Sequence, residues 1–409
     1  MPSETVVLAP AGYVVDDSIG SDYERPWRLA NGLGKRGLRV IVVARDVRGR
    51  ESLGPNVEVV VPAAREPYTP LGRLFDRLRL YTVARQVAQR ESRRGGVLVV
   101  HHSGPCGEQS PSLIGPLNVP LVYGPIPAVR PASDRGSTDE WLDWLQSRQA
   151  SRLQGLLSVA GFALTRPAAR ILWRRTLQRA DAVTVESASV APQGIPRLTV
   201  IPPGVDVERF APRGRFASSV DGRVIAVGQL VQRKAYDILI RALAQVRTKC
   251  RSAHLVFVGS GPQEKALRAL ASDLGIASAV QFVGIVTRDQ LVEVLSTAAA
   301  FCHPARFDTF PLAPLEAMAC GLPTLVSSTG ALPGVVAGGA GLVHRFGDSD
   351  ELADQLLAVL TNRPLGAELG AHARKRVLDC YTWDRMCDAY LALYRSLGSR
   401  QDSYSRCLA

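Results

Sequence analysis

No apolar run in this chain of 409 residues approaches the roughly 20 residues that a bilayer-spanning helix requires. The longest candidate, LLSVAGFAL at 156–164, is too short. The first residues, MPSETVVLAPAG, lack a basic region ahead of an apolar core and read directly as a buried strand, so a cytoplasmic protein is expected. Cysteine is sparse and unpaired in pattern. Cys106, Cys250, Cys302, Cys320, Cys380, Cys387 and Cys407 are odd in number and show no metal-ligand spacing, so neither a disulfide framework nor a zinc site is predicted. Negative charge is also short: 49 Lys and Arg stand against 37 Asp and Glu, for a net +12. The excess falls mostly in residues 1–200, which hold 26 basic and 18 acidic side chains.

Basic residues cluster at 72–94 and 166–179, both of helical pattern. They are not interleaved with aromatics and no recognition module appears, so nucleic acid is not an expected partner. Peripheral contact with an anionic inner-membrane surface is a candidate role for these two helices, with Leu172 and Trp173 as apolar contacts. An ordinary solvated arginine face has the same pattern.

Short β-rich runs alternate with longer helical patterns, the grammar of parallel sheets covered by helices on both faces. TVVLAP, LRVIVVAR, NVEVVVP, GVLVVHH, VPLVYGP and ADAVTVES make one series, with a long helical stretch over about 138–180. RVIAVGQL, HLVFVGSGP, VQFVGIV, AAAFCHP, PTLVSS and GLVHRF make a second. The expected fold is α/β, with two Rossmann-like doubly wound domains, 1–204 and 205–385, facing a central cleft. A helix over 386–398 is expected to cross back to the first domain, and 399–409 to form a disordered tail. Ligands in such sheets bind beyond the carboxyl ends of the strands.

The densest chemistry lies in FDTFPLAPLEAMACGLPT, residues 307–324. Asp308 sits in a loop and Glu316 eight positions later on a helix that Pro314 helps to start and Gly321 with Pro323 ends. The free N–H groups at such a helix start attract anions, and the carboxylates beside them can hold sugar and ribose hydroxyls. This segment resembles the signature of the family 4 retaining glycosyltransferases, in which two glutamates flank seven residues and the second opens an EAMACG-Pro run. That resemblance implies a two-domain GT-B fold and transfer of a sugar, with retention, from a nucleotide sugar to a hydroxyl. No resident cofactor or metal is implied; the nucleotide sugar is a co-substrate.

The likeness extends further. GQLVQRKAYDILIRAL at 228–243 resembles the family segment whose Arg and Lys hold the donor diphosphate: Lys234 matches, Gln229 replaces the Arg, and Arg233 is placed to compensate. In VQFVGIV the backbone of Gly284, Ile285 and Val286 corresponds to the nucleobase contact. IGSDYERPW resembles the family's glycine loop at the donor phosphate, with Gly20 matching and Ser21 in the second position. VIPPGVD at 200–206 matches the interdomain turn, and His101 is the better-aligned histidine of VVHHSGP, a candidate catalytic group. Phe310 and Leu312 offer backbone donors around the signature loop.

Three departures bear on the donor: Asp308 in place of Glu, Gln229 in place of Arg, and Gly124-Pro125 where the family often has a histidine. The resemblance makes Asp308, Glu316 and His101 the catalytic candidates. Family frequency favours a UDP-hexose or UDP-N-acetylhexosamine, with a small molecule, natural product, glycan or glycolipid as acceptor. A sugar-nucleotide epimerase of the same fold, or a degenerate partner protein, are the alternatives. Two motifs fail their context. Gly32, Gly34 and Gly37 spell a dinucleotide fingerprint but follow a helix, which they are expected to terminate. Asp348 and Asp350 precede a helix and suit its N-cap rather than a metal.

Overall fold

The computed structural model describes residues 4–11, 13–14, 21–47, 52–62, 70–104, 106, 110–115, 117–127, 167–213 and 222–407. Gly20 and most of the predicted 138–180 helical stretch lie outside them; 167–179 are helical. Two parallel sheets carry the fold. The first joins seven strands in the order β5-β3-β1-β6-β7-β8-β9: β1 (Thr5–Leu8), β3 (Arg39–Val43), β5 (Val57–Val60), β6 (Val97–His102), β7 (Leu121–Tyr123), β8 (Ala182–Val185) and β9 (Leu198–Val200). Two short strands, β2 (Tyr13–Val14) and β4 (Asp46–Val47), pair separately. The second sheet runs β12-β11-β10-β13-β14-β15, from β10 (Arg223–Val227), β11 (His254–Val258), β12 (Val280–Phe282), β13 (Ala300–His303), β14 (Thr324–Ser327) and β15 (Leu342–His344).

Every residue of β1, β13 and β14 is buried, as expected of strands covered on both faces. The order reverses direction at β1/β6 in the first sheet and at β10/β13 in the second, where adjacent crossovers leave on opposite faces and a crevice opens. In the second domain, Leu239, Leu243 and Phe257 fill one side of the sheet, and Leu315, Met318 and Phe301 the other. Each such fully buried Leu or Phe contributes about 1.5–3 kcal/mol.

Of the three glycines, Gly37 ends the first helix, Ser21–Lys35, while Gly32 and Gly34 lie within it. Leu38 N donates to Leu33 O and Gly37 N to Gly34 O, the paired bonds of a Schellman cap, with Gly37 at φ +85°. Asp348 likewise caps the helix Ser349–Thr361 through the Glu351 N–H.

The last helix, Trp383–Cys407, crosses to the first domain and covers β1, β3 and β6 with Met386, Tyr390, Tyr394 and Leu397. Its continuation to Cys407 corrects the tail expected over 399–409 as far as that residue; 408 and 409 lie outside the described residues. No proline interrupts that stretch, and Gly398 serves close packing on Leu98, where a Cβ would stand 2.7 Å from Cδ1. The chain re-enters the first domain beside the interdomain turn: Val205 N donates to Tyr381 O at 2.8 Å. A Cβ on Gly204 would lie 2.3 Å from Trp383 N, so this crossing requires glycine.

Candidate active site

Lys234 closes a 3-10 turn, Gln232–Lys234, at the carboxyl end of β10, and Ala235 turns left-handed (φ +50°) to launch the helix Tyr236–Lys249. A non-glycine residue in that region costs about 1–2 kcal/mol. The turn is held by Lys234 N donating to Val231 O and Arg306 N to Arg233 O. Lys234 is thereby buried, with Nζ 2.5 Å from Asp308 Oδ2. Asp308 lies on the loop after β13, anchored by Ala331 N donating to its carbonyl. Gly330 permits this approach, since a Cβ there would meet Asp308 O at 2.4 Å.

His303, wholly buried at the end of β13, places Nε2 3.0 Å from the same Oδ2. A carboxylate oxygen accepts, so Nε2 carries the hydrogen, and Lys234 Nζ at 3.4 Å from that nitrogen is a contact rather than a second bond. Nδ1 has no partner among the described residues. Arg233 Nη1 completes the cluster, 3.8 Å from Asp308 Oδ1. Burial pushes the Asp308 carboxyl up, but Lys234, His303 and Arg233 more than reverse this and hold it well below the usual range. Burial, then the Lys234 charge, lowers His303 to about 4.

The signature helix, Leu312–Ala319, is buried on every side but at Ala313. Glu316 sits in its second turn, 4 % exposed, with Oε1 2.5 Å from Arg288 Nη1. Arg288 opens the helix Arg288–Ser296, whose start is fixed by a capping box between Thr287 and Gln290. Its guanidinium lies 5.0 Å from the Phe210 ring and reaches across the cleft: Nη2 is 3.3 Å from Oε2 of Glu24, on the first helix of the other domain. Burial raises the Glu316 carboxyl, Arg288 opposes the rise, and Glu24 adds to it.

The remaining candidates separate. Gln229 is exposed, and its carbonyl accepts from Val231 N. Gly284 (φ +74°) spends its carbonyl on Gly259 N; Ile285 is 82 % exposed beside it and Val286 is half-buried against the core. The Phe310 ring packs on Tyr381, 5.7 Å between centroids, and the Leu312 side chain is buried. Ser21 is the first residue of its helix.

His101 requires correction. It is wholly buried, with Nε2 2.9 Å from Gly124 O and Nδ1 2.6 Å from the Tyr394 hydroxyl. The carbonyl fixes the hydrogen on Nε2, Nδ1 accepts from Tyr394, and burial lowers the group to about 4. Both nitrogens are committed, Nε2 to the loop after β7 and Nδ1 to the last helix. A wholly buried ring with no free nitrogen cannot serve as a catalytic group in the cleft.

Sequence reasoning missed Glu24, Arg288 and His303. Arg288 stands two residues after the expected nucleobase loop, Glu24 four after Gly20, and His303 five before Asp308; proximity to the motifs was the available signal. Among the described residues, no group of three or more His, Cys, Asp or Glu is placed to hold a metal, and no helix is long and apolar enough to cross a membrane.

Two parallel-sheet domains joined at a glycine turn, with paired cations and carboxylates at the strand ends between them, define the GT-B class of sugar-nucleotide transferase folds. Residues 27–209 match the family model described as Glycosyltransferase Family 4, and 215–376 that described as Glycosyl transferases group 1. With these matches in tandem, the chain belongs to the family 4, group 1 glycosyltransferases.

Among the relatives is the GDP-mannose-dependent alpha-(1-6)-phosphatidylinositol monomannoside mannosyltransferase of Mycobacterium tuberculosis (strain CDC 1551 / Oshkosh). It is 32% identical over 242 residues, 54% of this chain and 63% of that protein. The D-inositol 3-phosphate glycosyltransferase of Actinosynnema mirum is 35% identical over 219 residues, 48% of this chain and 51% of its own. The matches thus span less than two thirds of these relatives. The structure of sucrose-phosphate synthase from Thermosynechococcus elongatus superposes with a TM-score of 0.70 at 21% identity, covering 97% of this chain and 100% of that one. At that identity the likeness shows the fold.

Proposed function

We propose that the protein transfers a hexosyl group from a nucleoside diphosphate sugar to an acceptor hydroxyl with retention of configuration. The observation that carries this is the Lys234–Asp308 pair at the strand ends, with Glu316 on the adjacent helix. Lys234 and Arg233 would neutralise the departing diphosphate, a contribution that preorganised charge commonly makes the largest in such reactions. Asp308 would orient the sugar and Glu316 accept from a ribose hydroxyl. The diphosphate oxygen would take the acceptor proton on the face from which it leaves, so no protein nucleophile, metal or resident cofactor enters the scheme.

Family frequency favours a UDP-sugar, but the mannosyltransferase relatives are named for GDP-mannose, which therefore stands first in the donor panel. Acceptors bearing inositol phosphate are the matching first choice, since both groups of relatives are named for them. Calorimetric titration with GDP and UDP, followed by sugar release from GDP-mannose and UDP-hexoses with and without inositol phosphates, tests the reading. A protein that binds neither nucleotide and turns over no donor is not this enzyme.

A glycolipid acceptor would require work at a membrane surface. On the helix over 167–179, Ile171 and Leu172 are 55 % and 41 % exposed beside Arg170, Arg174 and Arg175. Salt-dependent sedimentation with anionic liposomes, reversed in an Ile171→Ser/Leu172→Ser variant, is the expected result; equal sedimentation by the variant would remove this face from the account.

A further inference from the structure

Two buried carboxylates on opposite domains, Glu316 and Glu24, share one guanidinium. Arg288 donates through Nη1 to Glu316 Oε1 at 2.5 Å and through Nη2 to Glu24 Oε2 at 3.3 Å. Glu24 is wholly buried, and its other oxygen accepts from Arg28 Nε at 2.7 Å. Arg28 Nη2 in turn donates to Asp206 Oδ2 at 2.9 Å, and Asp206 belongs to the turn that joins the domains. One continuous series of ion pairs, Glu316–Arg288–Glu24–Arg28–Asp206, therefore runs from the signature helix to the interdomain turn. Arg28 is further fixed between aromatic rings, 5.0 Å from Trp27 and 5.7 Å from Trp383.

We infer that Arg288 is a positioning residue of the donor site, which orients Glu316 for the nucleotide ribose and couples nucleotide binding to the seating of the first helix through Glu24. This rests on the donor site proposed above. Its physical basis is the valence of the groups. Glu316 gives one oxygen to Arg288 and keeps the other for a ribose hydroxyl. Glu24 gives both of its oxygens to arginines, one from each domain, so any shift of Arg288 toward Glu316 is felt at Glu24. A buried carboxylate that loses a charged partner is left poorly solvated, which makes the coupling strong enough to measure. The capping box at Thr287 holds the backbone of Arg288 still, so the response falls on the side chain and its partners.

A double-mutant cycle on nucleotide affinity tests this, with GDP and UDP as probes. Glu24 does not touch Glu316, so independent sites would give Glu24→Gln and Glu316→Gln effects that multiply. The expected result is a departure from multiplication of at least about fivefold, which disappears when the cycle is repeated with Arg288→Met. Arg288→Met alone should weaken nucleotide binding about tenfold or more, with partial recovery in Arg288→Lys, whereas loss of fold alone would give no such rescue. Thermal melting of each variant identifies any that fails to fold; the Arg288→Lys cycle then replaces the Arg288→Met cycle and should show reduced coupling. Multiplicative effects in a wild-type protein that binds nucleotide would overturn the coupling and leave the transferase reading intact. Absence of nucleotide binding in the wild type would overturn both.

Discussion

Nζ of Lys234 lies 2.5 Å from Oδ2 of Asp308, so the cation expected at the donor diphosphate and the carboxylate expected at the donor sugar neutralise each other on the floor of the cleft. A diphosphate must compete with Asp308 for this ammonium. Lys234→Ala is therefore expected to weaken nucleotide binding by about 10- to 100-fold, the range of a charge-assisted hydrogen bond. Asp308→Asn should lower kcat more than it lowers affinity for the nucleoside diphosphate, which lacks the sugar. Steady-state kinetics and calorimetry on both variants check this. Wild-type behaviour in both would remove the pair from the site.

Glu316 is set apart from a helix-dipole residue by its partner. Substitution to Gln keeps the shape but exchanges a carboxylate for an amide opposite Arg288. We expect the helix to stay folded and nucleotide affinity to fall by at least about tenfold, because ribose then meets a weaker acceptor. Circular dichroism and titration calorimetry separate the two effects. Equal affinity in Glu316→Gln would place the ribose elsewhere.

Acid should destabilise the protein through its buried histidines. His101 titrates at about 4 when folded against 6.5 ordinarily, because burial disfavours its charged form. Between those values the unfolded chain binds more protons than the folded one. Stability is therefore full above about pH 6.5 and is lost as pH falls toward 4, by up to about 3 kcal/mol for this group. Protonated Nδ1 would also become a donor facing the Tyr394 hydroxyl, which would have to turn round. His101→Gln should lower the Tm at pH 7.5 yet flatten its fall between pH 6.5 and 4. An unchanged slope would show that other groups govern acid unfolding.

Periodicity and turn chemistry made the two sheets legible, since all-buried strands such as TVVL, AFCH and TLVS are contiguous in sequence and end at glycine, proline or polar turns. The motif residues Lys234, Asp308 and Glu316 were legible for the same reason: each sits in a local pattern. Arg288 was not, because its partners Glu316 and Glu24 are 28 and 264 positions away and an ion pair across domains leaves no local period. His101 misled because a histidine at a strand end looks alike whether it faces a cleft or a covering helix. The helix that covers it begins almost three hundred residues later, at Trp383.

The seat of that last helix gives a test of how tightly the chain crosses back. Gly32, on the buried face of the first helix, lies where a Cβ would stand 2.2 Å from the Cys387 sulfur and 3.2 Å from its Cβ. Arg36 ties the same two helices from the rim, with Nε 2.7 Å from Asp388 Oδ1 and Nη2 3.1 Å from Asp384 Oδ1. A methyl at position 32 must push the helices apart or turn Cys387 out of its rotamer, while the rim pairs resist separation. Gly32→Ala should thus cost about 1–3 kcal/mol despite the higher helix propensity of alanine. Cys387→Ala removes the colliding sulfur and leaves a tight 3.2 Å approach between the two Cβ atoms, which a shift of a few tenths of an ångström relieves, so Gly32→Ala should cost much less in the Cys387→Ala background. Urea unfolding of the four proteins measures this, and additive effects would mean that the helices are packed more loosely than these distances require.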